Sequence, residues 1–109
     1  MKFSQENGGI ALESNLTKRL RRSEFLCGIE TYVYYRTIGK YTTLYLEAEY
    51  DEHQKKLDYN FYKMCCSPNG RTYFRMYCTR VPIQVALKRV ESFALYLELH
   101  KDSSGRWLT

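Results

Sequence analysis

The sequence contains one dense run of cationic side chains that could bind phosphate. Four positive charges fall within five consecutive positions, at Lys18, Arg19, Arg21 and Arg22. Such groups neutralise the phosphates of a nucleic-acid backbone, and on a helix a spacing of about 100° per residue would turn them away from Leu16 and Leu20. This basic run therefore predicts either a phosphate-binding helix or an ordinary solvated helix face.

Acidic residues alternate near the end of a predicted strand and could together ligate a cation. Glu47, Glu49 and Asp51 are followed by His53, and Glu30 lies opposite them in the predicted hairpin. If the strand continued to His53, these side chains would point the same way, as the ligands of a hard cation must. The strand is predicted to end before Asp51, and the spacing matches no metal-ligand motif. We therefore expect a solvated strand end, with no metal and no cofactor.

Residues suited to nucleophilic catalysis are sparse. His53 and His100 are the only histidines, and neither has a sequence partner that would orient it toward a cysteine or a serine. The six glycines form neither a P-loop nor a dinucleotide-binding motif. The sequence therefore predicts a protein without catalytic residues, which is not an enzyme.

The cysteines and the first residues of the chain bear on its location. Cys27, Cys65, Cys66 and Cys78 include no C-x-x-C pair, and adjacent strand residues such as Cys65 and Cys66 point to opposite faces. We expect free thiols, as in a reducing compartment. Residues 1–9 lack the apolar core of a secretory signal, and no segment approaches the roughly 20 apolar residues that span a bilayer. These features predict a cytoplasmic protein that does not enter a membrane.

Length and composition indicate one folded domain with an unusual tyrosine content. The chain has 109 residues, a net charge of +5 and a hydrophobic fraction of 44%, which excludes a disordered tail. Residues 10–101 are predicted to form this domain, between a flexible leader at 1–9 and a flexible tail at 102–109. Tyrosine occurs 11 times against 5 phenylalanines. Most of the aromatic surface therefore carries a hydroxyl group that needs a partner or water.

Periodicity and turn signals predict a helix, four strands and a second helix. Residues 14–26 open with cap-forming side chains and carry leucine at helical spacing. The predicted strands cover residues 30–38, 41–50, 57–66 and 71–81, with turns at 39–40 and 67–70. Pro82 opens a second helix, which continues to His100 along an apolar stripe. The predicted fold class is α+β: a four-stranded antiparallel β-meander with a short N-terminal and a longer C-terminal helix packed on one face, α-β-β-β-β-α.

The predicted turns also divide the side chains of the sheet between two faces. A two-residue turn at 39–40 puts Tyr34 opposite Tyr45, in one row with Tyr62 and Tyr77. The open face is then predicted to carry Tyr32, Tyr34, Arg36, Tyr45, Tyr62, Tyr73, Arg75 and Tyr77, with Glu30, Glu47, Glu49 and Asp58 at one end. The face that the helices cover is predicted to include Phe61, Phe74, Met76 and Cys78, and Lys63 is the one cation placed on it.

A contiguous face of tyrosine and arginine predicts a binding surface, although cross-strand tyrosine pairs also stabilise a sheet that binds nothing. Bases stack on aromatic rings and arginine binds phosphate, which favours a module for single-stranded nucleic acid or a nucleoprotein complex, with the basic run as a second contact. Tyrosine, arginine and methionine are also enriched in protein interfaces. The alternative is a protein-binding regulator or inhibitor, or a homodimer, that uses the same face.

Overall fold

An antiparallel sheet of five strands forms one layer of the molecule, and two helices pack against one side of it. The computed structural model describes residues 14–100. In chain order its elements are α1 (Asn15–Arg22), β1 (Leu26–Ile29), β2 (Val33–Gly39), β3 (Thr42–Asp51), β4 (Lys56–Cys66), β5 (Thr72–Val81) and α2 (Ile83–Leu99). The strands neighbour one another in sequence order. We call the covered side of the sheet the helix side and the opposite side the open face.

The structure confirms the α+β class, the antiparallel sheet and the short first and longer second helix. The predicted number of four strands is wrong, because β1 makes a fifth. The predicted leader at 1–9 and tail at 102–109 lie outside the described residues. Within residues 14–100, neither helix is long and apolar enough to cross a membrane.

The helix α1 ends at Arg22, earlier than the predicted residue 26, because the chain turns sharply after it. Glu24 has a φ of +64°, and its N–H donates to the Arg21 carbonyl at 2.8 Å. The Phe25 N–H donates to the Leu20 carbonyl at 3.0 Å. These two bonds form a Schellman motif, which the buried side chains of Leu20 and Phe25 complete. Glycine is the usual residue at the left-handed position, so glutamate there gives no signal in the sequence.

The strand β1 was not predicted because its residues show no alternation. All four side chains of Leu26–Ile29 are exposed. Leu26 pairs with Tyr35 and Cys27 with Tyr34 at the edge of the sheet. The segment 30–32, which was expected to open a strand, forms the turn between β1 and β2.

A bulge in β2 shifts the register of the β2–β3 hairpin by one residue. Ile38 is an extra residue between two pairs of the ladder. The turn lies at residues 40–41, one residue later than predicted, and together with the bulge it pairs Tyr34 with Leu46 instead of Tyr45 and places Tyr35 opposite Tyr45. Because side chains alternate along a strand, every residue of β2 before the bulge lies on the face opposite to the predicted one.

The β4–β5 connection reverses the faces of the first half of β5, because Cys66 pairs with Thr72 across five residues, 67–71, whereas a turn of two or four residues was predicted. Tyr77 is then an extra residue before the pair of Phe61 with Cys78, which returns Cys78 to the predicted helix side. The open face of β5 consequently carries Phe74 and Met76, whereas its helix side carries Tyr73, Arg75 and Tyr77. The predicted assignment of these five residues is the reverse of what the structure has.

The core lies between the sheet and the helices, with Phe61 at its centre. Its ring has no exposed surface and lies 6.3 Å from Phe25, 5.2 Å from Tyr77 and 5.9 Å from Phe93, measured between ring centroids. The helix α2 closes the core with the buried residues Ala86, Leu87, Val90 and Leu97. The apolar stripe of the sequence thus lies against the sheet as predicted.

Candidate functional site

The basic run lies on α1 and is exposed to solvent. Lys18, Arg19, Arg21 and Arg22 all belong to the exposed side of this helix. Arg19 donates to the Glu91 carboxylate of α2 at 2.7 and 3.0 Å, and this hydrogen bond is the main cause that lowers the pKa of Glu91. Arg19 therefore joins the two helices. Lys18 and Arg22 lie one turn apart and extend the positive surface of the helix.

Glu30 binds two hydroxyl groups at the N-terminus of α1 and does not belong to an acidic cluster on the open face. Its carboxylate accepts a hydrogen bond from the Ser14 hydroxyl at 2.7 Å and another from the Thr17 hydroxyl. Both hydrogen bonds lower the pKa of Glu30, and the bond from Thr17 has the larger effect. The Tyr34 hydroxyl lies 2.8 Å from the Thr17 oxygen and accepts the N–H of Thr31 at 2.9 Å. Tyr34 is thus a buried member of this network, with no exposed surface.

The other predicted carboxylates also have local partners. The Asp51 carboxylate accepts the backbone N–H groups of His53 and Gln54 in the β3–β4 turn, at 2.9 and 3.1 Å. Glu49 accepts the Asn60 amide at 3.1 Å and lies 3.5 Å from the guanidinium of Arg80. Over residues 14–100 no group of three or more His, Cys, Asp or Glu side chains could hold a metal ion. The four cysteines form no disulfide.

A row of apolar and aromatic side chains crosses all five strands on the open face. Each member pairs directly with the next in the sheet register, and we call this set the sheet row: Leu26, Tyr35, Tyr45, Tyr62 and Met76. The rings of Tyr45 and Tyr62 stack at 5.4 Å, and Phe74 lies 6.0 Å from Tyr62. Leu26, Met76 and Phe74 are 59%, 49% and 62% exposed. The open face therefore has an aromatic centre with exposed apolar ends.

The charges beside the sheet row are acidic. Glu47 neighbours Tyr45 on β3, and its carboxylate accepts a hydrogen bond from the Tyr62 hydroxyl. Burial raises the pKa of Tyr62 most, and the Glu47 carboxylate raises it further. Arg36 and Arg75, which were predicted to supply positive charge here, lie on the helix side. The open face thus has Glu47 beside its aromatic row, with Glu49 paired to Arg80 and Asp58 to Lys56, whereas arginine beside the tyrosines was predicted.

The registers of β2 and β5 divide the predicted binding residues between the two sides of the sheet. Tyr45 and Tyr62 lie on the open face as expected, and Tyr32 lies in the β1–β2 turn with 49% of its surface exposed. The remaining members of the predicted face lie on the helix side: Tyr34, Arg36, Tyr73, Arg75 and Tyr77. Among them, Arg36 donates to the Ser23 carbonyl at 3.1 Å and tethers β2 to the end of α1. Sequence reasoning missed four residues of the true open face, namely Leu26, Tyr35, Phe74 and Met76.

Three cations converge on a groove between α2 and the helix side of β4 and β5. The groove has a volume of about 480 Å³, and its cations are Lys63, Arg75 and Arg89. Lys63 pairs directly with Arg75 across the two strands. The guanidinium carbons of Arg75 and Arg89 lie 6.0 and 5.5 Å from the centroid of the Tyr77 ring. Within residues 14–100, none of the three cations has a carboxylate oxygen within 4.0 Å.

The residues of α2 that line the groove share one side of the helix because of their spacing in the sequence. Arg89, Ser92, Phe93 and Tyr96 recur at i, i+3, i+4 and i+7, and all four line the groove. Only Phe93 of these was included in the predicted apolar stripe, because a polar or charged member does not count toward a core. Lys63, the cation on the wrong side of the predicted sheet, was the other signal of this groove. Lys63 lines the groove from a position of β4 on the helix side, where it pairs with the buried Leu44.

The fold and these surfaces define a small two-layer α+β protein, with a five-stranded antiparallel meander and two helices on one side. The chain is 33% identical over 90 residues to the uncharacterized protein YddA of Bacillus subtilis (strain 168), an alignment that covers 82% of this chain and 88% of YddA. The chain belongs to the same family as YddA. No family model and no solved structure matches it.

Proposed function

We propose that the protein is a non-catalytic binding module for single-stranded nucleic acid, which it contacts through the cations of its helix side. The observation that carries the proposal is the division of charge between the two sides of the sheet. The basic run and the groove cations Lys63, Arg75 and Arg89 lie on the helix side, whereas the open face has Glu47 beside its aromatic rings and pairs Glu49 with Arg80. A strand of phosphates is attracted to the cations of the first side, and Glu47 repels it on the second.

The open face is a poor surface for nucleic acid on its own, despite its aromatic rings. Proteins that bind single strands combine aromatic platforms with a positively charged path for the backbone. Tyr45 and Tyr62 supply rings, but Glu47 lies beside them. On the helix side, by contrast, Tyr77 lies between two arginines. We place this activity in the cytoplasm, where thiols such as the four free cysteines stay reduced.

Charge reversal on α1 tests the proposal. The double variant Lys18→Glu/Arg22→Glu is expected to weaken binding of a fluorescein-labelled oligothymidylate at low salt. Because each phosphate contact to a single strand contributes about 0.7 to the slope of log affinity against log salt, the slope should fall by about 1.4. Fluorescence anisotropy over a series of salt concentrations measures both quantities.

The matched control is Lys40→Glu/Lys55→Glu, which makes the same change in net charge in the two turns that flank β3. This variant is expected to retain most of the affinity. Equal losses in the two double variants would show that only net charge matters. A wild-type protein that binds no oligonucleotide at low salt would refute the proposed function.

A second function is favoured by the sheet row, namely self-association of two chains through their open faces. Strands lie about 4.8 Å apart, so five of them make the row about 20 Å long. Exposed apolar patches of this kind on a small protein are commonly interfaces. A two-fold axis along the row would pair the rows of two copies and place each Glu47 on the opposite side of the row from its counterpart, which avoids repulsion between the carboxylates. The helix sides, with their cations, would then face outward.

Analytical ultracentrifugation of the wild-type protein is expected to give the mass of two chains, dissociating on dilution. Met76→Glu adds a carboxylate to the sheet row and should leave a single chain at every concentration. Leu95→Glu makes the same chemical change on α2, at a residue that is 61% exposed, and should leave the dimer intact. A wild-type protein that remains a single chain at every concentration contradicts the dimer.

A further inference from the structure

The groove between α2 and β5 is built from positive charge that the described part of the protein does not neutralise. Lys63, Arg75 and Arg89 face one space, with no carboxylate of residues 14–100 within 4.0 Å of any of them. Like charges that converge in this way repel one another, and an anion between them relieves the repulsion. The arrangement is therefore suited to a ligand of negative charge.

The positions of Arg75 and Arg89 indicate which kind of anion the groove would bind. Their guanidinium groups lie over the Tyr77 ring at 5.5 and 6.0 Å, within cation–π distance. Burial raises the pKa of Tyr77, and the charges of Arg75 and Arg89 act in the opposite direction. A guanidinium presents two parallel N–H donors, which match a pair of phosphate oxygens. The Ser92 hydroxyl, one turn of helix beyond Arg89, adds a further donor to the lining.

The aromatic wall and the size of the groove favour a phosphate that is attached to a flat apolar group. Phe93 and Tyr96 line the groove together with Tyr77. A volume of about 480 Å³ lies in the range of small-ligand sites and exceeds what a bare phosphate ion needs. A nucleotide unit has both parts, an anionic phosphate for the cations and a base for the aromatic and guanidinium planes.

We propose that this groove is a nucleotide-binding subsite, in which Arg75, Arg89 and Lys63 bind a phosphate of single-stranded nucleic acid and the aromatic wall contacts the adjoining base. The proposal rests on the function proposed above and assigns one nucleotide of the bound strand to this groove. We assign other phosphates of the strand to the basic run of α1. Glu91 of α2 contacts Arg19 of α1 and lies about 200° around the helix from Arg89, so α1 and the groove lie on opposite flanks of α2. The strand thus crosses α2 on the helix side.

The test compares two adjacent cations of α2. Arg89→Ala, and Arg89→Gln as a variant that retains the aliphatic packing, are expected to weaken binding of a fluorescein-labelled oligothymidylate at least about tenfold, the effect of losing a charge-assisted hydrogen bond. The salt slope should fall by about 0.7. Lys88→Ala removes the same charge from the neighbouring residue, which is exposed and does not line the groove, and should change the affinity less than about threefold.

Inorganic tripolyphosphate provides a second readout that needs no nucleic acid. It should raise the melting temperature of the wild-type protein and of Lys88→Ala, but not that of Arg89→Ala. If the wild type binds the oligonucleotide and the Arg89 variants bind it equally well, the subsite is refuted while the proposed function stands. If no oligonucleotide binds but tripolyphosphate stabilises the protein in an Arg89-dependent way, the function in nucleic-acid binding is refuted and the groove serves a small phosphorylated ligand.

Discussion

Tyr34→Ala is expected to lower the free energy of unfolding by about 3–5 kcal/mol, the usual cost of removing a buried aromatic side chain. Tyr34 has no exposed surface and packs against α1 on the helix side of β2. The next residue, Tyr35, is half-buried in the sheet row on the open face. Tyr35→Ala should therefore cost only about 1 kcal/mol. Urea unfolding followed by circular dichroism measures both values.

Removing only the hydroxyl of Tyr34 measures how much its hydrogen bonds, as distinct from the packing of its ring, contribute to the free energy of unfolding. The hydroxyl accepts the N–H of Thr31, whose φ of +76° holds the β1–β2 turn in a left-handed conformation, and it lies 3.2 Å from a Glu30 carboxylate oxygen. Tyr34→Phe keeps the ring and leaves these groups without that partner, so a loss of about 1–3 kcal/mol is expected. If Tyr35→Ala were the more damaging of the two alanine substitutions, β2 would have the register predicted without the bulge.

The difference between Tyr34 and Tyr35 shows where sequence reasoning reached its limit. Alternation of apolar and polar residues in 30–38 and 41–50 predicted the hairpin. It does not show whether a strand contains a bulge or how many residues a turn contains. One extra residue at Ile38 exchanges the two faces of β2, and the five-residue connection 67–71 exchanges those of β5 as far as the bulge at Tyr77. The strands without a bulge between them, β3 and β4, pair as predicted, with Tyr45 opposite Tyr62. The pattern therefore predicted both helices, four of the five strands and the central ladder, whereas the turn lengths and bulges of the two hairpins decided the outer faces.

The bulges also change the functional interpretation. With Arg36 and Arg75 on the open face, one surface would have combined stacking and phosphate binding. In the structure the two properties lie on opposite sides: the sheet row is aromatic beside Glu47, and the groove is cationic around Tyr77. One ligand cannot reach both sides at once. This separation is the reason to assign nucleic acid to the helix side and a second copy of the chain to the open face.

Two phenylalanines that the sequence places on the same face should differ most in their contribution to stability. Phe61→Ala is expected to lower the free energy of unfolding by about 3–5 kcal/mol, because the cavity would lie at the centre of the core. Phe61 has no exposed surface and contacts the rings of Phe25, Tyr77 and Phe93. Phe74→Ala makes the same chemical change at a residue that is 62% exposed on the open face, and should cost about 0.5 kcal/mol.

Phe61 also connects the core to the groove, so its loss should have a functional effect beyond stability. Its ring supports Tyr77 at 5.2 Å and Phe93 at 5.9 Å, and both of these line the groove. A small domain is stable by about 5–15 kcal/mol, so Phe61→Ala can leave a folded protein whose groove is loosened. Phe61→Leu fills more of the cavity and should recover part of both the stability and the oligonucleotide affinity.

Phe74→Ala should leave the affinity unchanged and lower only the tendency to dimerise. Equal destabilisation by Phe61→Ala and Phe74→Ala would mean that Phe74 faces the core, as predicted from the sequence, and that Arg75 lies outside the groove.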